Sequence, residues 1–492
     1  MKRLFIALLG FCIVLTSSAQ NWNIDWYSSA YFLGGTGSYL PFWQRTGNNG
    51  ILPNTSSGTL TLGADLKYHS KKGWFFETGA NLAGSAALKN SYNPHLISGL
   101  VDRLYISGGW KMLRLDVGML PYSKDLGDLS LSGGNFMWSA NARNIPGIDL
   151  KLDWLYFEKG HWFGIKANFG HYQFIDNRST KGTMLHDKSI AIKVACGRKL
   201  DLILGIEHLA QWGGIMPNGH HQPDSFKDYL RVVVAKKGDG NATHSDQVNV
   251  LGNHLGREFI RFVWHPKDFT MTFQYDKPFE DGSSKRLQNM PDGLWSLKFS
   301  MNDRKGPVTD FVLEHLTTLW QSGPHHDIPI PQEEIEHPKP NASYRDGKKI
   351  LGGCDDYFNN GEYRSGWTNY GRVIGMPLFT PTALDENGIS HGIVNNRVSA
   401  FHFGMAGNVV DGVPYSLKTT YSKNYGRYHE SKESFFYFAP WQLSLGLEFS
   451  FEKAFTKLPV IFALGAYADF GELYKNGGGL TFRIIYRGSR RF

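Results

Sequence analysis

Apolar and polar residues alternate along most of this chain, and the segment from Trp441 to Phe451 shows it most clearly. Every second residue there is apolar, and the intervening residues are polar or glycine. Because successive side chains of a strand point to opposite faces, this pattern predicts a β-strand with one apolar and one wet face. The segment from Ile148 to Tyr156 has the same period, and we expect its aromatic residues Trp154 and Tyr156 at a membrane interface.

The same period recurs along the whole chain, which predicts about 18 strands in total, an even number as in single-chain bacterial barrels. The further candidate strands are 22–33, 59–69, 74–83, 101–110, 113–119, 162–170, 189–197, 201–208, 259–264, 269–275, 294–300, 309–317, 397–404, 415–421, 459–470 and 479–487. Glycine and aromatic residues are both more frequent than in average globular proteins, which argues against a long-helix protein.

The N-terminus has the layout of a secretory signal. Lys2 and Arg3 precede an apolar stretch, and small residues follow it up to Ala19, after which we expect cleavage. No later apolar run approaches the roughly 18 residues that a membrane-spanning helix requires. The sequence therefore predicts residues 1–19 as a signal peptide and 20–492 as an all-β, transmembrane antiparallel β-barrel in the outer membrane of a two-membrane bacterium.

Short and long connections divide the predicted strands in the way expected for such a barrel. Several pairs are joined by short polar turns, whereas long loops are predicted at 120–147, 209–258, 318–396 and 422–440. A soluble β-sandwich also alternates, but it rarely needs so many strands in series without a linker. Inside the second long loop, the apolar spacing from Ser225 to Lys236 predicts a short helix that plugs the lumen or caps a rim.

The C-terminus and the net charge suggest partners in the membrane. Counting back from Phe492 by twos gives a mostly apolar row that ends in an aromatic residue, a pattern that the outer-membrane insertion machinery generally recognises. The net charge of +8 suits anionic partners such as lipopolysaccharide phosphates or an acidic polysaccharide. The basic residues are dispersed and the chain is predicted to be exported, so we expect no nucleic-acid partner.

A long segment from Asp355 to Leu378 resembles the signature of the Wzi-like capsule-assembly proteins. The segment includes Asp-Asp-Tyr-Phe-Asn-Asn-Gly-Glu-Tyr from Asp355 to Tyr363, and Pro41-Phe42-Trp43 agrees with the same family. The resemblance covers nearly the whole mature chain. It implies an outer-membrane barrel of about 18 strands, with a helical element towards the periplasm. It also implies a lectin-like role that holds capsular polysaccharide at the cell surface without synthesising or exporting it.

The same segment suits a sugar site on physical grounds. Aromatic rings stack on the C–H faces of sugars, amides pair with vicinal hydroxyls, and guanidinium groups pair with acidic substituents. The predicted polysaccharide-binding residues are Tyr357, Asn359, Tyr363, Arg364, Trp367, Tyr370 and Arg372. The alternative is that this glycine- and aromatic-rich segment folds into the lumen and packs as a plug.

Other patterns leave further alternatives open. Asp355, Asp356, Asn359 and Glu362 offer oxygen ligands for a hard cation, although their spacing does not match an EF-hand. The histidine pairs at 220–221 and 325–326 offer ligands for a transition metal, and a disulfide between Cys196 and Cys354 is possible. We nevertheless expect no metal and no cofactor.

Two other function classes compete with the lectin. A channel would use the same strands around an open lumen. The other rival is a surface enzyme, a glycosidase or a lipase. A glycosidase would need a carboxylate pair, for which the candidates are Glu258, Asp276, Glu280, Asp281 and Asp292. The sequence contains neither a Gly-x-Ser-x-Gly motif nor a phosphate-binding loop, and we expect a protein that is not an enzyme.

Overall fold

The computed structural model describes residues 21–89, 96–157, 160–280, 287–337, 343–345, 348–350, 352–452 and 459–492. The predicted signal peptide lies outside these residues. Across the described chain, none of the helices has the length and apolar character needed to cross a membrane.

Eighteen strands form one closed antiparallel sheet, in which each strand pairs with its neighbours in the chain. The last strand pairs with the first, with Trp26 opposite Gly488, so the sheet has no free edge. The barrel strands are β1 (Trp22–Gly35), β2 (Ser57–His69), β3 (Trp74–Ala87), β4 (Ile97–Trp110), β5 (Leu113–Met119), β6 (Gly147–Tyr156), β7 (Phe163–Gln173), β8 (Met184–Ala195), β9 (Leu200–Trp212), β10 (Asn253–Trp264), β11 (Phe269–Phe279), β12 (Gly293–Met301), β13 (Asp310–Thr317), β21 (Val398–Val410), β22 (Val413–Asn424), β23 (Trp441–Phe451), β24 (Val460–Gly471) and β25 (Gly477–Arg491).

The smaller elements all lie in connections between barrel strands. The helices are Phe42–Arg45, Phe226–Val233, His244–Val248 and Gln332–Glu336, with a 3-10 turn at Phe435–Phe438. The short strands are β14 (Asp327–Pro329), β15 (Ser343–Arg345), β16 (Lys348–Ile350), β17 (Thr368–Asn369), β18 (Arg372–Val373), β19 (Thr380–Pro381) and β20 (Ile393–Asn395).

The predicted barrel is confirmed, and each predicted strand overlaps one barrel strand. Several barrel strands are longer than the alternation indicated. The long loops accordingly have shifted limits, at 120–146, 213–252, 318–397 and 425–440. The largest change is in the second loop, because β9 and β10 stay paired beyond the apolar run, from Glu207 opposite Arg257 to Gln211 opposite Asn253.

The outer and inner faces of the barrel differ as the alternation predicts. Outward-facing apolar side chains form a continuous exposed belt, which includes Leu60, Leu62, Leu104, Ile106, Leu150, Ile190, Leu204, Leu313, Phe401 and Leu464. The neighbouring residues in the same strands, such as Thr61 and Glu314, face the lumen and are buried. This distribution suits a cylinder whose outside contacts lipid.

The prediction that Trp154 and Tyr156 lie at the membrane interface is wrong. The pairing of β6 with β7 shifts between Leu152 and Leu155, so the last residues of β6 change face. Tyr156 therefore lies on the luminal side, where Lys193 contacts its ring and donates to its hydroxyl at 3.3 Å. Phe157 takes the exposed outer position.

Short turns and long loops lie at opposite rims of the barrel. The short-turn rim carries connections such as 70–73 and 196–199, together with the first residue of β1 and the last residue of β25. The long-loop rim carries every helix and every short strand of the described chain. The resemblance implied a helical element towards the periplasm, whereas the described helices lie at the rim opposite the short turns.

The helix predicted between Ser225 and Lys236 is present as Phe226–Val233, with a capping box between Ser225 and Asp228 at its start. Its predicted position is wrong, because it neither plugs the lumen nor caps the rim. Connection 213–252, here named the outer strap, folds back along the outside of the barrel. Val232 packs there against the outward-facing Ala210 and Trp212.

Hydrogen bonds to two acidic side chains, Asp246 and Glu362, hold the outer strap in place. The Asp246 carboxylate accepts a hydrogen bond from the Gly252 amide at 3.0 Å, and Glu362 accepts one from Gln222 at 3.0 Å and another from Thr243. Burial and the negative charge of Glu362 raise the pKa of Asp246 to about 8. The pKa of Asp246 is higher in the folded state than in the unfolded chain, so protonated Asp246 stabilises the folded state at low pH. This stabilisation is lost as the pH rises through about 8.

We therefore expect limited proteolysis within the outer strap to be several-fold faster at about pH 9 than at about pH 6. Asp246→Asn, which keeps an acceptor for the Gly252 amide but carries no charge, should remove most of that difference. Cleavage at the same rate at both pH values in the unchanged protein would contradict this assignment.

Candidate functional site

Loops from the long-loop rim enter the barrel and fill its lumen with a plug. The plug consists of residues 36–56, 120–146 and 355–397, which share one apolar core with luminal wall residues. Phe136 lies at its centre, with the rings of Tyr357, Phe358 and Phe379 against it. Most side chains of the 355–378 segment therefore pack inside the lumen, which is the alternative to a sugar site that the sequence left open.

Charged residues of the barrel wall hold the plug. Arg257 on β10 donates to Glu207 at 2.6 Å, to Asp276 at 2.8 Å and to the Gly134 carbonyl of the plug at 3.2 Å. Asp276 also accepts the Phe136 amide at 2.9 Å. On β13, Glu314 accepts hydrogen bonds from Ser130 and from the Leu131 amide, at 2.7 and 2.6 Å. These buried polar groups satisfy one another and fix the position of the plug.

The predicted sugar-stacking rings are mostly in this core. Tyr357, Tyr363 and Trp367 are at most 3% exposed. Their polar atoms bond to protein: the Tyr357 hydroxyl to Asp292, the Tyr363 hydroxyl to the Gly213 carbonyl and the Trp367 indole to the Met137 carbonyl. In this structure, none of these three rings presents a free face to a sugar, and their predicted binding role remains a prediction.

The other predicted residues are spread over different surroundings. Asn359 bonds to both backbone groups of Ile393. Arg364 is exposed and donates to the Gly361 carbonyl at 3.1 Å. Tyr370 is half-buried beneath the guanidinium group of Arg143, 4.2 Å from its ring centroid. Arg372 alone of the predicted set lines a cleft that is large enough for a saccharide.

The Trp367→Phe variant distinguishes a packing role of the Trp367 side chain from a direct contact with sugar. The variant keeps an aromatic ring but leaves the Met137 carbonyl without its donor, so we expect it to lower the free energy of unfolding by about 1–3 kcal/mol. Chemical denaturation measures this loss. If the ring acts only in the plug core, affinity for an acidic polysaccharide should be unchanged, whereas a loss of about tenfold or more would favour direct stacking on sugar.

The cleft lies at the long-loop rim and has a volume of about 580 Å³. It is formed by the β1–β2 loop, the plug segment 371–381, the 3-10 turn at Phe435–Phe438 and the turn between β24 and β25. Its aromatic lining residues are Tyr39, Phe379, Phe435, Phe436 and Tyr474. Polar groups stand beside these rings, including Asn54, Asn141 and Asn476, so the cleft combines apolar faces with hydrogen-bonding edges.

Two arginines, Arg45 and Arg372, line this cleft, and a third, Arg143, lies over the Tyr370 ring outside its lining. Arg45 lies over the Tyr474 ring at 4.6 Å, and Arg372 donates to the Arg45 carbonyl at 2.7 Å and to Asn54 at 2.6 Å. The Arg45 Nε atom is buried and has no hydrogen-bond partner among the described residues. Burial, with the positive charges of Arg45 and Arg143 nearby, lowers the pKa of Arg372 to about 9. Arg372 therefore stays protonated at neutral pH, and an anion bound nearby stabilises its charged form.

Within the described ranges, no carboxylate oxygen comes within 4.0 Å of a side-chain nitrogen of Arg45, Arg143 or Arg372. Asp469 lines the same cleft, and its carboxylate accepts the Phe42 amide at 2.9 Å. Among the described residues, therefore, no ion pair neutralises the guanidinium groups of the cleft. Such a site is chemically matched to a carboxylate on a ligand.

A tight turn places Arg372 in the cleft. Strands β17 and β18 form a hairpin whose two turn residues, Tyr370 and Gly371, have φ angles of 49° and 70°. Positive φ at both central positions is the geometry of the two-residue hairpin turn that glycine accommodates readily. The sequence pattern indicated Arg372 but neither Arg45 nor Tyr474. The only sequence signal near them was the Pro41-Phe42-Trp43 segment immediately before Arg45.

The alternative site patterns do not assemble as predicted. In the predicted cation site, Asp356 pairs with Arg427, Asp355 bonds to Ser322, and Glu362 faces the outer strap. The carboxylates that were candidates for a hydrolytic pair likewise bond to different protein groups.

Among those carboxylates, Asp276 pairs with Arg257, Glu258 pairs with Lys277, Glu280 accepts the Phe358 amide and Asp292 accepts the Gln321 amide. Asp281 lies outside the described residues. Cys196 and Cys354 are not joined to each other, so the possible disulfide is not formed.

A second cavity, of about 750 Å³, lies in the lumen between the plug and the barrel wall. It is bordered by plug residues 124–133 and by wall residues near the short-turn rim, such as Arg304 and Tyr415. This cavity adjoins the rim cleft, because Thr46, Asn141 and Pro377 line both of them.

A comparison with solved structures agrees with the fold. The chain is similar to Wzi of Escherichia coli, described as an outer-membrane protein involved in group 1 capsule assembly and as a carbohydrate-binding β-barrel. The TM-score is 0.53 at 13% sequence identity, over 99% of this chain and 87% of Wzi. At this identity the likeness establishes the class of fold, an 18-stranded outer-membrane-type barrel.

Two further similar structures have lower scores. OccAB4 of Acinetobacter baumannii matches with a TM-score of 0.47 at 10% identity, over 96% of this chain and 100% of that protein. OprD of Pseudomonas aeruginosa matches with 0.46 at 9%, over 96% and 95%. No protein-family model matches the sequence, and no curated protein matches it either.

Proposed function

We propose that this protein is a non-enzymatic outer-membrane barrel that binds an acidic capsular polysaccharide in the arginine-lined cleft at its long-loop rim. The single observation that carries the proposal is that Arg45 and Arg372 line one cleft together with aromatic rings, among them Tyr474 and the exposed Phe435. A guanidinium group pairs with a uronate in forked geometry, while an aromatic ring such as Tyr474 supports the sugar ring.

The orientation of the barrel supports this role. Outer-membrane barrels have short periplasmic turns and long extracellular loops, so the cleft faces the cell exterior, where capsule is found. The cleft lies between loops with exposed residues, such as Gly37, Phe435 and Lys475, so a segment of a long chain can reach it. A polymer with many repeats binds many barrels at once, so weak individual contacts add up to firm attachment.

The plug argues against the channel as the main activity. A diffusion channel needs a continuous aqueous lumen, whereas an apolar core of plug and wall residues, held by buried charges, fills much of the lumen here. The enzymatic alternative lacks support from geometry, because the described candidate carboxylates each bond to separate protein groups.

Binding to defined probes tests the proposal. The full-length protein in detergent should bind alginate oligomers, which are polyuronates, and should not bind neutral dextran oligomers of the same length. The affinity should fall with rising ionic strength, because a charge interaction at the surface is screened by salt. Equal binding of alginate and dextran would contradict the assignment of this cleft to acidic sugars.

Cells provide the matching physiological test. A deletion strain should shed its capsule into the medium while the total amount of capsule stays the same. Loss of capsule synthesis would contradict an attachment role, and a steady large conductance of the purified protein in planar bilayers would favour the channel.

A further inference from the structure

Three potential metal ligands from two separate loops meet at the long-loop rim. They are His325 and Cys354, both in the 318–397 loop, and His429 in the 425–440 loop. Their ligand atoms all lie within 4.8 Å of one another, and Cys354 Sγ is 3.5 Å from His429 Nε2. The sequence analysis considered His325 only together with His326, because the positions of Cys354 and His429 are distant in the chain.

The backbone fixes this arrangement. The His326 amide donates to the Gly352 carbonyl at 2.8 Å and the Cys354 amide donates to the Gly323 carbonyl at 2.7 Å, so the two parts of the 318–397 loop are held side by side. A side chain on Gly353 would meet the Pro324 carbonyl at 2.2 Å, which shows how closely they approach. His429 is positioned by its neighbour Tyr428, whose hydroxyl donates to the Trp320 carbonyl at 3.0 Å.

The chemistry and spacing of the three groups suit zinc. Zinc takes imidazole nitrogen and thiolate sulfur in tetrahedral geometry, for which the nitrogen-to-sulfur separation is roughly 3.5 Å. The Cys354–His429 distance of 3.5 Å already matches this separation. The rings of His325 and His429 are nearly parallel, 5.9 Å apart, so a rotation of the His325 side chain brings its nitrogen closer.

We propose that His325, Cys354 and His429 bind a zinc ion at the outer rim, with a fourth position open to water. Bound zinc ties the 318–397 loop, which continues into the plug, to the 425–440 loop, which carries the aromatic residues Phe435 and Phe436 of the cleft. The site is independent of the sugar-binding proposal, because it rests on a different set of residues.

Metal binding by the purified protein tests the site directly. Full-length protein in detergent, first freed of metal, is titrated with Zn²⁺ against a chromophoric chelator. We expect stoichiometric binding, and Cys354→Ser or His429→Ala should weaken it by more than about 100-fold, because even the loss of an outer-shell partner costs roughly 10–100-fold. His220→Ala removes an imidazole from the outer strap and serves as a matched control with unchanged binding.

The two thiols of the described chain provide an internal control. Zn²⁺ should slow the alkylation of Cys354 but leave that of Cys196 unchanged, since Cys196 is exposed in the turn at the short-turn rim. Equal protection of both thiols, equal binding by the Cys354→Ser and His429→Ala variants, or binding of Cu⁺ without Zn²⁺ would each overturn the zinc assignment. These readouts need no polysaccharide, so failure here and failure of the sugar proposal remain distinguishable.

Discussion

Arg45→Gln is expected to lower the affinity for alginate oligomers by about 30-fold, because an arginine at the centre of a binding site typically contributes roughly 2 kcal/mol or more. Arg45 suits this test because its guanidinium group lies over Tyr474 at the cleft and its Nε atom has no hydrogen-bond partner among the described residues. Removing it should therefore affect the ligand more than the plug. Isothermal titration calorimetry of the detergent-solubilised variant measures the change.

Arg364→Gln is the matched control for Arg45→Gln. It removes the same charge from an exposed position in the plug segment, where Arg364 bonds only to its neighbour Gly361 by its Nε atom. We expect less than about a twofold loss of affinity there, as for a charge at the edge of an interface. If Arg364→Gln weakens binding as much as Arg45→Gln does, net charge and not the cleft determines recognition.

Arg257→Met is expected to destabilise the plugged state by about 3–5 kcal/mol, since removing one partner of a buried ion pair leaves uncompensated charge. Glu207 and Asp276 would both lose their counterion within the barrel wall. The Gly134 carbonyl would also lose a donor, and this part of the plug should detach from the wall. The expected observation is a conductance in planar bilayers that the unchanged protein lacks.

Arg261→Met tests whether any luminal arginine on the same strand would have this effect. Arg261 lies on the same face of β10, but it pairs with the partly exposed Asp125 and bonds to Gln274. An exposed ion pair contributes only about 0–1 kcal/mol, so this variant should stay closed. A closed Arg257→Met barrel would show that the plug is held by its apolar core and not by the wall charges.

The sequence predicted the barrel well because its pattern is imposed locally. A strand such as β23 must present apolar residues to lipid and polar residues to the lumen, and that requirement appears directly as a period of two. The exception at Trp154 and Tyr156 has a local cause that the pattern does not reveal. An irregularity in the pairing of β6 with β7 reverses the faces of the residues that follow it.

The candidate site could be predicted only in part. The sequence singled out the 355–378 segment, but its residue types suit a sugar site and a packed plug equally well. Trp367 is buried because the Met137 carbonyl and the Trp138 ring, more than 200 positions away, cover it. Arg45 and Arg372, whose positions are similarly distant in the chain, become neighbours only when their loops fold together.

By itself, the sequence determined the number of strands, their order and the face that contacts lipid, because side-chain direction in a strand follows from position alone. Only the tertiary structure decided which loops fill the lumen, which arginines remain without an acidic partner and where the outer strap lies. The physical reason is that burial and charge compensation in loops depend on contacts between distant segments, which no local period encodes.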